Sequence, residues 1–293
     1  MIAQVFTIVA PVFVVALVGF AWAKARQPFD TQMVSALVTN VGAPCLLLSQ
    51  LLSQRPDLGQ MAGMIGAAVS LIAVTGAAGW LLLRLIGQPV RVFLPAMIFP
   101  NAGNMGLPLC LFAFGDEGLA LAVAFFATMA LLQFSIGHAV ASGRRDPVSF
   151  LANPVLWALA VALALLAQDV AVPAWIMNSL DVLAAFVIPL MMLSLGASLA
   201  ALNVTAIGRG VGLALFRLAG GFAAALAITA ALGLEGPARG AVIIQASMPP
   251  AVFNYMFALR YGNQPAEVAG VVLIATVLSF LTLPLLVAFA LQG

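Results

Sequence analysis

Two stretches decide the fold: FPNAGNMGLPL (residues 99–109) and QASMPPAVFNY (residues 245–255). Each places proline with glycine or polar side chains inside an apolar run long enough to cross a bilayer, whose ~30 Å core needs about 20 predominantly apolar residues. Proline removes a backbone donor and clashes with the preceding turn, so both runs are expected to be helices broken at the same depth. Backbone that leaves the helix at membrane depth survives only where protein or a watery cavity surrounds it, so the two breaks mark a site rather than a lipid-facing surface. The N–H groups that open the second half-helix of each run point their positive dipole ends at the break and favour an anionic ligand. Asn101, Asn104, Gln245, Ser247 and Asn254 add neutral polar groups there. The plainer alternative is that these prolines and glycines only kink membrane helices, where both are common.

The rest of the chain has the composition that such runs require. Of 293 residues, 64% are hydrophobic and 7% charged, with 11 basic and 9 acidic side chains and a net charge of +2. A soluble domain carries about a quarter charged residues, so the expectation is an all-α polytopic membrane protein with no soluble domain. Lys24 is the single lysine, and phosphate neutralisation needs clustered cations, which excludes nucleic acid as a partner. Cys45 and Cys110 lie in apolar runs and read as packing residues, and no metal site is expected.

Ten spans are expected, near 4–23, 32–53, 61–83, 92–114, 118–142, 149–168, 174–200, 206–232, 238–260 and 267–291. The first has no cation before it and Lys24 and Arg26 after it, the reverse of a signal peptide, so it is read as a retained helix. Sorted by parity, the loops on one side hold eight Lys or Arg, including Arg91, Arg144, Arg145 and Arg209, and those on the other hold only Arg55 and Arg239. The positive-inside rule then puts the first set in the cytoplasm and both termini outside. Four landmarks also recur in order: Pro11-Val12 with Pro154-Val155, APCLLLS (43–49) with IPLMMLS (188–194), Pro100 with Pro249, and Ala127-Thr128 with Ala275-Thr276. Their offsets, from 143 to 149 residues, divide the chain into repeats at 1–143 and 148–293. Five spans per repeat is an odd number, so the second repeat crosses with inverted polarity.

The break in the fourth span, the APCLLLS and IPLMMLSLGASLA pair and the QASMPPA break in the ninth resemble the auxin efflux carrier family, whose members include bacterial organic-acid permeases and the plant PIN-FORMED carriers. The resemblance covers essentially the whole chain, without the large central loop of the plant proteins. It implies two inverted five-helix repeats, a scaffold of helices 1, 2, 6 and 7, and a moving transport unit of helices 3–5 and 8–10. The family's crossover prolines fall on Pro100 and Pro249, and its substrate-carboxylate asparagine falls on Asn101. After the second crossover proline, family members often carry an amide residue; Pro250 stands here, with neither side-chain amide nor N–H.

Two ionisable residues lie inside spans, Asp181 and Arg217, and such a charge costs ~2.5–3.5 kcal/mol at a helix centre on insertion scales. Counted from opposite ends they reach similar depth. Either Arg217 attracts an anionic substrate and Asp181 is a proton acceptor or gating partner, or the two form a structural ion pair, or Asp181 is merely interfacial. His138 reads as a packing or interfacial residue. Gly59 with Gly63, and Gly208 with Gly212, have helix-contact spacing. No phosphate-binding loop occurs and one histidine excludes a paired-histidine metalloenzyme motif, so no enzyme is expected. The expected function is a secondary transporter that moves a small carboxylate by alternating access, elevator-like, in a bacterial inner membrane, with no cofactor beyond coupling to H+ or Na+ and a homodimer formed through the scaffold helices. A channel and a ligand-binding sensor are the rival readings.

Overall fold

A computed structural model of the chain describes residues 2–143, 151–202 and 207–292. The expected loop cations Arg144 and Arg145 lie outside the described residues. Helix α1 (Ile2–Lys24) is followed by α2 (Thr31–Leu37), which passes through a wider π-helical turn, Val38–Gly42, into α3 (Ala43–Gln54). Next come α4 (Leu58–Leu85), α5 (Val90–Ile98), a second π turn at Ala102–Gly106, α6 (Leu107–Leu132), a third π turn at Gln133–Gly137, and α7 (His138–Ser142). The remaining helices are α8 (Pro154–Ala167), α9 (Ala174–Ala185), α10 (Val187–Ala201), α11 (Ile207–Ala231), α12 (Gly236–Ala246), α13 (Phe253–Tyr261) and α14 (Pro265–Ala290). Starts are set locally. The carboxylates of Asp30 and Asp57 accept two N–H bonds each at the openings of α2 and α4, and Asn153 caps α8, whose first residue is Pro154.

Seven helical stretches among the described residues are long and apolar enough to cross a membrane, and no strand occurs among those residues. The longest, Ala102–Ser142, has 41 residues; at ~1.5 Å per residue it is about twice the bilayer core. It does not run straight, because Gly115 inside α6 has φ 65° and ψ −156°, a conformation essentially confined to glycine. The chain turns there, in the gap expected between residues 114 and 118.

Helix α1 packs along α10 with backbone in direct contact. A Cβ on Gly19 would lie 2.1 Å from the Leu193 carbonyl oxygen, and one on Gly196 would lie 1.8 Å from that of Ala16. Only glycine permits this approach. The glycine pairs singled out by spacing do less: nothing lies within 4 Å of a Cβ at Gly208 or Gly212, Gly63 meets only the Leu234 side chain, and Gly59 meets only Asp57.

Side-chain contacts group the turns into two ends. At one, the Arg91 guanidinium covers Gly143, Asn263 donates to the Ala141 carbonyl (2.8 Å), and Arg209 reaches Gln88 (3.3 Å) and Glu267 (3.9 Å). At the other, Arg55 pairs with Asp169 (2.5 Å), Leu234 packs on Gly63, and Phe114 packs on Gly240. The most enclosed elements are α12 and much of α6, where Val242, Ile243, Ile244, Ala122, Ala124 and Phe125 are fully buried.

Candidate functional site

Helix α5 stops at Ile98 and Phe99 turns extended; α12 stops at Ala246, before the Met248-Pro249-Pro250 segment. The two breaks lie against each other as a short antiparallel pair. Asn101 N–H donates to the Pro249 carbonyl (2.7 Å), Ala251 N–H donates to the Phe99 carbonyl (3.0 Å), and Pro100 faces Pro250. In this pairing the two facing residues turn their own N–H and C=O groups away from the partner. Proline therefore fits at both positions without forfeiting an interstrand bond. The sequence matched Pro100 with Pro249 as landmarks of a repeat; across the pair of breaks, the residue that faces Pro100 is Pro250. The missing N–H of Pro250 is for the same reason no loss to the pair.

Asn101 opens the π turn that follows the first break. Its Oδ1 accepts from the N–H of Asn104 (3.2 Å), while its Nδ2 is buried without a partner in the protein. Asn254 is tied up differently: Nδ2 donates to the Phe99 carbonyl (3.2 Å) and Oδ1 accepts from Gln133 Nε2 (3.2 Å). Phe99 O thus takes two donors from the opposite break. Gln133 carried no signal of its own, a single amide in an apolar run; it sits in the third π turn.

A cavity of about 200 Å³ opens beside the paired breaks. Pro100, Asn101 and Asn104 line it from the first break and Ala251 and Val252 from the second, with Gln133, Phe126, Thr39 and Ser194 around them. All three π turns contribute to its wall, and such turns are frequent at functional sites because they displace side chains from the helical ladder. Among the described residues, no Asp, Glu, Lys, Arg or His lines it. The lining combines amides and hydroxyls with methionine, aromatic and aliphatic side chains, and so offers neutral donors beside an apolar surface.

Several expected site residues lie elsewhere. Gln245 is fully buried, donates from Nε2 to the Ala122 carbonyl (2.6 Å), and presses its unpartnered Oε1 towards Gly106. Ser247 donates back to the Ile243 carbonyl (2.7 Å). Neither lines the cavity, and neither does Asn254. Asp181 and Arg217 do not pair: Asp181 is exposed and accepts from Ser49 Oγ (2.5 Å), whereas Arg217 is 1% exposed and donates to the Met97 and Ala246 carbonyls. Depth counted along two helices says nothing about which way each helix faces, and these two face different neighbours. His138 meets the Tyr261 hydroxyl through Nε2 (2.5 Å), away from the cavity. Among the described residues no three His, Cys, Asp or Glu side chains gather where they could hold a metal.

Comparison with known proteins agrees with the membrane fold. A family model described as membrane transport protein matches residues 4–150 and again residues 138–287. An uncharacterised transporter of Methanocaldococcus jannaschii is 28% identical over 198 residues, which is 63% of this chain and 63% of that protein. The chain thus matches less than two thirds of that relative's length. Matched by the family model from residue 4 to residue 287, the chain belongs to the membrane transport protein family of the auxin efflux carriers.

Proposed function

We propose that this transporter is a secondary carrier of a small organic carboxylate, which it seats at the paired breaks and exposes to each side of the membrane in turn. The observation that carries the reading is the buried, unpartnered Nδ2 of Asn101 in a cavity free of charged side chains. A buried donor without a partner is costly, and here it stands at the positive end of a broken helix, where a carboxylate oxygen would satisfy it.

In this reading the chain crosses ten times as two inverted halves, and the paired breaks are crossover helices. Support comes from contacts that repeat under the exchange of halves: α1 with α10 and α3 with α8, then α4 with α6 and α11 with α14. The scaffold would be α1, α2–α3, α8 and α9–α10, and the moving unit would be the rest, travelling as an elevator. The cavity reaches Thr31, Gln32, Ala201 and Leu259, which neighbour the cation-rich turns, so under the positive-inside rule it faces the cytoplasm. Export of an anion from a negative cytoplasm is favoured by ~2.3 kcal/mol per charge per 100 mV and needs no coupling ion, whereas uptake needs H+ or Na+. Asp181 lies outside the cavity, so a proton relay through it forms no part of the proposal.

The test is binding and counterflow in proteoliposomes. Wild-type protein should exchange labelled for unlabelled carboxylate against its gradient, which a channel or sensor does not do. Asn101→Ala should keep its fold and lose one to two decades of affinity, since charge-assisted hydrogen bonds contribute ~1.5–3 kcal/mol. Unchanged affinity in a folded variant would move the site elsewhere.

A further inference from the structure

Arg217 is the one charged side chain buried among the described residues, and it does not sit where an anion could touch it. From α11, Nη2 donates to the Ala246 carbonyl (2.7 Å) and Nη1 to the Met97 carbonyl (3.4 Å). Those carbonyls belong to the last turns of α12 and α5, the half-helices that run into the two breaks. Gly221, one turn along α11, makes the approach feasible: a Cβ there would lie 2.3 Å from the Ala246 oxygen. No ion pair to Arg217 occurs among the described residues, whose pairs are Arg55 with Asp169 and Arg209 with Glu267. Its Nε has no partner.

The order of charges through this region follows. The guanidinium stands at the negative, C-terminal ends of two half-helices; Asn101, Asn104, Ala251 and Val252, around the positive ends of the other two, line the cavity. Main-chain carbonyls satisfy hydrogen bonds but bring no net charge, and a buried cation without an anion is costly. The two helix ends lend Arg217 partial negative charge but no ionised acid neutralises it, so one net positive charge stands behind a cavity with no charged lining among the described residues.

We propose that Arg217 is the countercharge of the transported anion: it acts through the two half-helix ends without touching the substrate, and it sets that substrate at one negative charge. The proposal rests on the carboxylate-carrier reading above. A monoanion in the cavity balances the guanidinium, a dianion overshoots it, and a neutral amide of the same shape leaves it unbalanced. Arg217 in this role discriminates by charge and not by shape.

The experiment uses purified protein in nanodiscs and calorimetric titration with two matched sets: butyrate, butyramide and succinate, and benzoate, benzamide and phthalate. Wild type should bind at least one monocarboxylate tenfold or more tighter than both its amide and its dicarboxylate. Arg217→Met should reduce the preference for the monocarboxylate over its amide by about tenfold, the size of effect that one charge exerts across roughly 12 Å at an effective dielectric near 20, with amide affinity unchanged. Arg217→Lys should retain the preference. Equal weakening of acid and amide in Arg217→Met, as a purely structural role predicts, overturns the proposal. If that variant does not fold, the wild type decides, because a wild type that binds a dicarboxylate as tightly as its monocarboxylate also overturns it. Binding that Asn101→Ala loses and Arg217→Met keeps in full leaves the carrier reading standing and removes this one. A wild type that binds none of the acids overturns both.

Discussion

Asn104 and Asn254 each follow one of the paired breaks yet serve different ends. Asn104 lines the cavity, whereas Asn254 spends both ends of its amide on protein, holding Phe99 O and Gln133 together. Replacing it with leucine would leave the buried Gln133 amide without its acceptor, at a cost of ~1–3 kcal/mol, and would take from the Phe99 carbonyl one of its two donors while Ala251 N–H keeps the other. Asn254→Leu should therefore lower the Tm in detergent by several degrees, where Asn263→Ala, near the surface, should barely move it. An unshifted Tm for Asn254→Leu would show that the break holds without this link. At this scale Asn101 was legible in the sequence, as an amide directly after a mid-span proline. Gln133 was not, because its importance comes from Asn254, 121 residues away in the chain. Arg217 was legible as unusual but not in its role, since its partners are main-chain carbonyls with no residue signature.

Among the elements, the turn at Gly115 shows conformation and space acting separately. A Cβ added at either Gly115 or Gly208 would meet no atom within 4 Å, but only Gly115 has positive φ. Gly115→Ala should cost ~1–3 kcal/mol through backbone strain, while Gly208→Ala, in the regular helix α11, should stabilise by up to ~1 kcal/mol through helix propensity. Thermal unfolding of the two variants side by side checks this, and equal effects would mean that the Gly115 turn relaxes to an ordinary helix. The three π turns were invisible beforehand, because a π turn is a local choice of hydrogen-bond partner that tertiary packing decides. The contact of α1 with α10 was likewise missed: Gly19 and Gly196 are two of 26 glycines, and single glycines carry no spacing signal.

For the whole molecule, the grouping of turns into two ends gives a topological test. After replacement of Cys45 and Cys110, cysteines at positions 57 and 169 should react with a membrane-impermeant thiol reagent added outside cells, and cysteines at 88 and 263 should not. The reversed pattern would invert the orientation and place the cavity mouth outside; labelling that mixes the two sets would break the ten-crossing scheme itself. The contacts of Arg55 with Asp169, and of Arg209 with Gln88 and Glu267, already hold each set together at its own end.

Composition alone determined that this chain lives in a bilayer, because 7% charged residues cannot cover a water-facing surface. Mid-span prolines determined that two helices break, because a ring in place of an N–H acts through local geometry wherever the helix lies. What the tertiary structure decided is everything that depends on azimuth and register: Pro250 rather than Pro249 opposite Pro100, Asn254 turned inward on Phe99, and Arg217 placed behind the breaks instead of beside Asp181. Depth along a helix can be counted from its ends. The direction in which a side chain points is set by which neighbours its helix packs against, and those lie from 29 to 155 residues away for Arg217 and Asn254.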